Sequence, residues 1–458
     1  MDAARVFARH VADTRFDDLP AAAVEAVRTF TLDSLGVAAA GAHGPFAAAW
    51  RRLLVGPPAE ARVWAAPDML PATAAAALNA YQLHNSEYDC VHEGAVVHTM
   101  AVLFPAVMAF AERQGDVSGR RLVEAVAVGA DVAAGLGLAA RAGLRFFRPA
   151  TAGIFGGTAA CARLAELDEE AVARAFGIAL GQVCGTMQAH SEGSPLLGMQ
   201  VGFAARNAVA AVDMARAGLP GPEGSFEGEH GYLALFERDY DIKPILAGLG
   251  QNWRIAETAH KPWPSGRATH GVVEALLALR AEHGFGASDA VVVTLVVTPL
   301  VNHLVGREAG HGMAVNQARL SARWAAARIL LNGGLGHEDF TPGALADAES
   351  LALARRIRVE VDGNPDPNAL TPVSVEVTLK DGRRLSRRVE AVLGSPARPL
   401  TRVQHVAKFW GNWAWAGLNP QAGEALIDSI DRLESITDIS RLSALTQPGD
   451  SNLYRTSS

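Results

Sequence analysis

The chain has 458 residues, 49% of them apolar and 19% charged, enough to bury more core than one domain usually holds, so two domains are expected. Its net charge of -7 and pI near 6.1 offer no basic face, which sets nucleic acid aside as a partner. Cys90, Cys161 and Cys184 are too few for a disulfide framework and lack CxxC spacing, so neither secretion nor a structural zinc site is indicated and a cytoplasmic protein is expected.

The opening Met1-Asp2-Ala3-Ala4-Arg5 lacks the basic stretch and apolar run of a signal peptide. Apolar residues then recur at helical spacing over Ala21–Ala38, Ala101–Glu112, Arg121–Arg141, Gly153–Ala165, Glu169–Val183 and Gly202–Ala217. Asp168 ahead of Glu169-Glu170 has the chemistry of a helix N-cap. The charge-free runs Met69–Ser86 and Gly94–Ala111 are broken by Pro71, Asn79 and Gln82, and by His98 and Pro105. They read as buried helices of a protein that does not enter the membrane.

After Gly271 the texture changes. A helix over Val272–His283 leads into Ala290–Thr298, whose valines and threonine favour a strand. Further strands are predicted at Ile357–Val361, Val373–Leu379 and Arg384–Val389, the last two joined by Asp381-Gly382 as a hairpin. A helix over Leu320–Leu331 lies between them, and helical pattern returns at Val403–Phe409 and Gln421–Leu433. The fold class expected is mainly α: a large helical domain (1–271 and 396–458) with a smaller inserted α+β lid domain (272–395).

Two clusters carry chemistry. Glu87-Tyr88-Asp89-Cys90-Val91-His92-Glu93-Gly94-Ala95-Val96-Val97-His98 breaks two apolar helices with acids and two imidazoles. It has no HExxH spacing, so no metal is expected; as an acid/base site it is better formed, because histidine can take and give a proton near neutral pH. His260-Lys261-Pro262-Trp263-Pro264-Ser265-Gly266-Arg267-Ala268-Thr269-His270 has a backbone fixed by two prolines, from which Lys261, Arg267 and His270 can project toward a carboxylate. Arg148-Pro149 opens an Ala/Gly-rich helix without Walker or Rossmann spacing, so no nucleotide cofactor is expected. His190-Ser191-Glu192-Gly193-Ser194 reads more readily as structure than as a site.

The order of these motifs, with Thr31-Leu32-Asp33-Ser34-Leu35-Gly36, Gly231-Tyr232-Leu233 and Lys261-Pro262-Trp263-Pro264, resembles the MmgE/PrpD family over nearly the whole chain. The resemblance implies a cofactor-free homodimer with a helical domain and a lid, acting on a small carboxylic acid. It places His98 and Lys261 among the residues around the substrate, with Glu87 at the first acidic position of the family's Asp-Phe-Asp-Asp-Thr-His motif. Arg148 stands where relatives have histidine. Leu197-Gly198-Met199-Gln200 stands where they have Lys-Arg-Leu-His, which implies a substrate other than 2-methylcitrate or cis-aconitate. The reading is a cofactor-independent lyase of the dehydratase type. His98 would be the acid/base, His92 and Glu87 its partners and Lys261 a further catalytic group, with Arg148, Arg267, His270 and Gln200 binding substrate. An isomerase, epimerase or decarboxylase using the same residues is the alternative within catalysis, and an inactive scaffold or binding protein the alternative outside it.

Overall fold

The computed structural model describes residues 2–57, 59–366 and 368–449, so Met1 and the end of the expected 396–458 segment lie outside the described residues. Helix accounts for 57% of the chain, which makes the class mainly α. The first part is a stack of apolar helices, chiefly Ala21–Gly41, Ala72–His84, Thr99–Gln114, Gly119–Ala139, Gly153–Leu164 and Leu196–Arg216. Small residues let them approach backbone to backbone. A Cβ on Gly129 would lie 2.8 Å from the Gly156 carbonyl oxygen, and one on Gly156 2.7 Å from that of Gly129, so the helices Gly119–Ala139 and Gly153–Leu164 cross where neither can carry a side chain. Dispersion attraction between backbones this close replaces the bulkier interdigitation of leucine-rich helices.

Gly119–Ala139 is long and apolar enough to cross a membrane, with a mean hydropathy of 1.7 over its best window, but 94% of that window is buried, chiefly against Gly153–Leu164 and Thr99–Gln114. Asp168 caps Glu169–Leu180, its carboxylate accepting from the Ala171 N–H at 2.8 Å. That helix stops three residues before the expected Val183, whereas Leu196–Arg216 begins six residues before the expected Gly202, directly after Pro195. Helix therefore covers the Leu197–Gln200 stretch that sequence periodicity left out.

The second part holds a four-stranded sheet with spatial order Ile357–Val361, Ala290–Val297, Val373–Leu379, Arg384–Val389. The first pair is parallel and the others antiparallel, and Thr378 pairs with Arg384 across the Asp381-Gly382 turn. Gly382 takes φ +87°, the left-handed region a tight turn requires. Val373, Val375, Val377 and Leu379 alternate inward beneath the helix His270–His283, while Arg384, Arg387 and Arg388 keep the outer edge charged and unsuited to further strand pairing. The C-terminal helices Arg402–Trp415 and Pro420–Asp431 leave the sheet and pack on Ala21–Gly41.

Candidate active site

The site forms where two helices end facing each other. His84 is the last residue of Ala72–His84, and His98 immediately precedes Thr99–Gln114. Between them the chain is strained: Glu87 and Val96 both adopt φ +51°, which for a β-branched valine is a genuine outlier. Such residues cost on the order of 1–3 kcal/mol each, and both line the same cavity. The loop is held by its neighbours. His92 N–H donates to Val97 O at 2.8 Å, and Val91 and Ala259 exchange backbone bonds at 3.0 and 2.7 Å, drawing the Lys261 segment against Glu87. Arg319 ties the same two segments together by donating to Ser86 O at 2.7 Å and Pro264 O at 2.6 Å.

At the centre, the Asp89 carboxylate receives both histidines on one oxygen, Oδ2, from His84 Nδ1 at 3.0 Å and His98 Nδ1 at 2.8 Å. A carboxylate only accepts, so both rings carry their proton on Nδ1 and direct Nε2 away. His98 faces the cavity; His84 is 1% exposed and does not. Lys261, fully buried, donates to Glu87 Oε2 at 3.0 Å and Glu87 O at 3.1 Å, and lies 3.8 Å from Asp89 Oδ1.

The titration behaviour follows from this packing. Burial pushes the Glu87 carboxyl up, but Lys261, His84 and His98 outweigh it and hold the group at about 2. Burial is likewise outweighed at Asp89, by His98, His84 and Lys261, and its carboxyl lies well below the usual range. The two histidines move in opposite directions. Burial lowers His98, and Lys261 and His84 add to that against the opposition of Asp89. Burial also opposes charge on His84, yet Asp89 and Glu87 overcome it and raise the ring's pKa. Helix ends act in the same sense, since a cation is favoured at the C-terminus of Ala72–His84 and disfavoured at the N-terminus of Thr99–Gln114.

The cavity has about 80 Å³ of free space and reaches Glu87, Glu93, His98, Arg148, His190 and Arg267. The expected residues are therefore only partly brought together: Glu87, His98, Arg148 and Arg267 line it. Lys261 sits behind Glu87 and off the wall. His92 is turned elsewhere, its Nδ1 accepting from Ala95 N–H at 3.2 Å and its Nε2 donating to Glu257 at 3.1 Å. His270 is wholly enclosed, Nδ1 accepting from Arg267 at 3.4 Å and Nε2 donating to Ser265 O at 3.1 Å, and burial with Arg267 pushes its pKa well below the ordinary value. Gln200 is spent on the backbone of Thr186, accepting at 2.7 Å and donating at 3.3 Å. The two arginines are engaged as well. Arg148 makes a bidentate pair with Glu237 at 3.0 and 2.9 Å, and Arg267 Nε donates to Glu93 at 2.7 Å.

Sequence reasoning missed His84, Glu237 and the site role open to His190. The imidazole of His84 in an otherwise uncharged alanine helix was a usable signal. Glu237 had none, because its partner Arg148 is 89 residues away. His190 Nδ1 accepts from Arg307 at 3.3 Å, so its proton sits on Nε2, and burial followed by Arg307 lowers its pKa to about 4. It is a neutral N–H donor on the cavity wall.

His84, Asp89 and His98 offer donor atoms within 4.8 Å of one another, as metal ligands could. Their short contacts have N–H···O polarity, and Lys261 already supplies positive charge 3.8 Å from Asp89, so the donor set suits a hydrogen-bonded cluster better than a cation.

A helical stack beside a small sheet, with this loop pair between them, also marks a known family. The MmgE/PrpD N-terminal domain matches residues 5–245 and the MmgE/PrpD C-terminal domain residues 263–431. Cis-aconitate decarboxylase of Aspergillus terreus is 25% identical over 93% of this chain and 92% of its own length. A cis-aconitate decarboxylase-like protein of Aspergillus oryzae is 25% identical over 95% of each. With both family domains matched in order across most of its length, this chain belongs to the MmgE/PrpD family.

Proposed function

We propose that the protein is a lyase that removes the proton next to the carboxylate or carbonyl of a small organic acid and expels a β-hydroxyl as water. The observation that carries this reading is the neutral His98 ring on the cavity wall, its Nδ1–H fixed by Asp89 at 2.8 Å and its Nε2 lone pair left as the base. His98 Nε2 takes the α-proton, the C–H electrons form the double bond, and the C–O bond breaks toward the hydroxyl. The imidazolium then returns its proton to that oxygen, which leaves as water, and the enzyme is restored. The negative charge that builds on the substrate carboxylate faces the His190 Nε2–H, with Arg307 directly behind it. Lys261 acts indirectly, by fixing Glu87 and by disfavouring charge on His98.

Decarboxylation is the second reading, favoured by the names of the Aspergillus relatives; it would need His98 to enter the reaction protonated on Nε2 as well, and the ring would give that second proton to the product carbanion and be reprotonated from solvent. Isomerisation would return the proton to carbon. The test is proton NMR in deuterated water across small hydroxy-, amino- and unsaturated acids. Elimination with solvent deuterium exchange that is lost in His98→Gln supports the proposal, and carbon dioxide release without exchange of a C–H supports the second reading. We also propose that the activity is cofactor-independent and survives chelation by EDTA, and that the protein is a homodimer; loss on chelation restored by one divalent ion, or a monomer in light scattering, would count against these.

A further inference from the structure

Charge around the cavity is already balanced by the protein itself. Lys261 is paired with Glu87 at 3.0 Å, Arg148 with Glu237 at 2.9 Å and Arg267 with Glu93 at 2.7 Å. Asp89 lies between two imidazoles. Arg307 differs. Among the described residues neither it nor Arg319 has a carboxylate partner; Arg319 is spent on the Ser86 and Pro264 carbonyls, whereas the Arg307 guanidinium lies behind the cavity wall, on the carbonyl and Nδ1 of His190 at 2.9 and 3.3 Å and on the Leu304 carbonyl at 3.2 Å. The rest of the wall is apolar, with Leu144, Phe147, Met187, Leu300, Leu304 and Leu370 facing the same space.

From this we infer that the substrate is a small monocarboxylic acid bearing an apolar, branched carbon skeleton, with its one carboxylate at the His190 Nε2–H, ahead of Arg307, and its skeleton against the leucine, phenylalanine and methionine wall. The inference rests on the proton-abstraction reading for the chemistry but not for the binding. A second or third carboxylate would have to be desolvated against leucine side chains, or would have to displace Glu237 or Glu93 from an arginine, leaving a buried protein carboxylate unpaired. Both arginines on the cavity wall, Arg148 and Arg267, are already neutralised by protein carboxylates, which leaves the His190 N–H, backed by Arg307, to receive one substrate carboxylate only.

Calorimetric titration of the full chain with tiglate (one carboxylate), mesaconate (two) and cis-aconitate (three) tests this, with the corresponding 3-hydroxy-2-methylbutanoate followed by NMR. Tiglate is expected to bind at least roughly 10-fold more tightly than either polyacid. Glu93→Gln, which frees Arg267 at the partly exposed side of the cavity, is expected to narrow that gap by tightening mesaconate; Glu237→Gln should do the same through Arg148 if it folds. Cis-aconitate binding as well as tiglate to the unaltered protein overturns the inference, as does failure of all three to bind. Tight binding of tiglate with no exchange or elimination of the hydroxy acid leaves the charge class standing and overturns the proton-abstraction reading instead.

Discussion

His84, which ends one helix, and His98, which precedes the next, donate to the same carboxylate oxygen of Asp89, with their rings perpendicular and 4.6 Å apart. One anion cannot stabilise two imidazolium ions at this range as well as it stabilises one, so charge on either ring disfavours charge on the other. The surroundings break the tie: burial opposes charge on both rings, but Asp89 and Glu87 overcome it and raise the pKa of His84, whereas Lys261 and His84 add to it and lower that of His98, with the helix ends acting in the same sense. The lowered pKa of a ring on the cavity wall is thus owed in part to a partner that never touches the cavity.

His98→Gln keeps approximate size and hydrogen bonding but cannot titrate. It is expected to lower kcat by at least roughly 10²-fold with a smaller change in KM and an unchanged melting temperature. Asp89→Asn should lower kcat too, because an amide can hold either tautomer and no longer selects Nδ1–H. Near-native turnover in His98→Gln would move the base to another residue.

Arg148 distinguishes clamp from strut. Glu237 holds it bidentately, and the Tyr232 hydroxyl donates to the same carboxylate at 2.9 Å. Glu237→Ala should therefore destabilise the fold by about 3–5 kcal/mol, since it leaves a buried guanidinium unpaired, whereas replacing both partners by apolar residues of similar volume should cost far less. Chemical denaturation reads both. If Glu237→Ala raised KM without moving the denaturation midpoint, Arg148 would be a substrate clamp after all.

Acid stability carries the signature of Glu87. Its carboxyl titrates at about 2 in the folded protein against 4.5 as an ordinary glutamate. With the folded value depressed, its contribution is fully present above the ordinary value and is lost as pH falls through the folded one. Melting temperature should drop between pH 4.5 and about 2, and the drop should be shallower in Glu87→Gln, which starts less stable at neutral pH. An identical acid limb in the variant would show that other carboxylates govern it.

Much of this architecture is legible in the residues. The strands from Ala290, Ile357, Val373 and Arg384 announce themselves by β-branching and by Asp381-Gly382, and the two polar clusters stand out against alanine helices. The division at 271 and 395 is our proposal for the domains. The packing of Arg402–Trp415 on Ala21–Gly41 supports returning the C-terminus to the helical part, although the family's C-terminal domain continues to residue 431. What sequence withholds is pairing. Arg148, Arg267, His270 and Gln200 have the chemistry to grip an acid, and each is used inside the protein, by Glu237, Glu93, Ser265 and Thr186 respectively. Those partnerships span 89 and 174 residues for the two arginines, distances over which no local pattern reports. His92 and His98 look alike in the motif and are separated only by the reversal at Val96, whose positive φ is unexpected for a valine.

The pH profile offers the most specific check on the shared carboxylate. His98 must be neutral to accept a proton, and burial, Lys261 and His84 all lower its pKa below the ordinary 6.5. Activity is therefore expected to be level at neutral pH and to fall on the acid side, with a midpoint under about 6.5. His84 enters this sum as a nearby cation. His84→Asn removes the positive charge while an amide can still donate to Asp89, so Asp89 is left to favour a proton on His98 alone. The acid limb should then move to higher pH, and turnover at its plateau should be retained within a few fold, which a merely structural loss would not produce. His84→Phe, which keeps ring volume but donates nothing, should shift the limb further in the same direction and lower stability by leaving Asp89 one partner short. An acid limb that stays in place in both variants, or that moves to lower pH, would mean that the two histidines titrate independently.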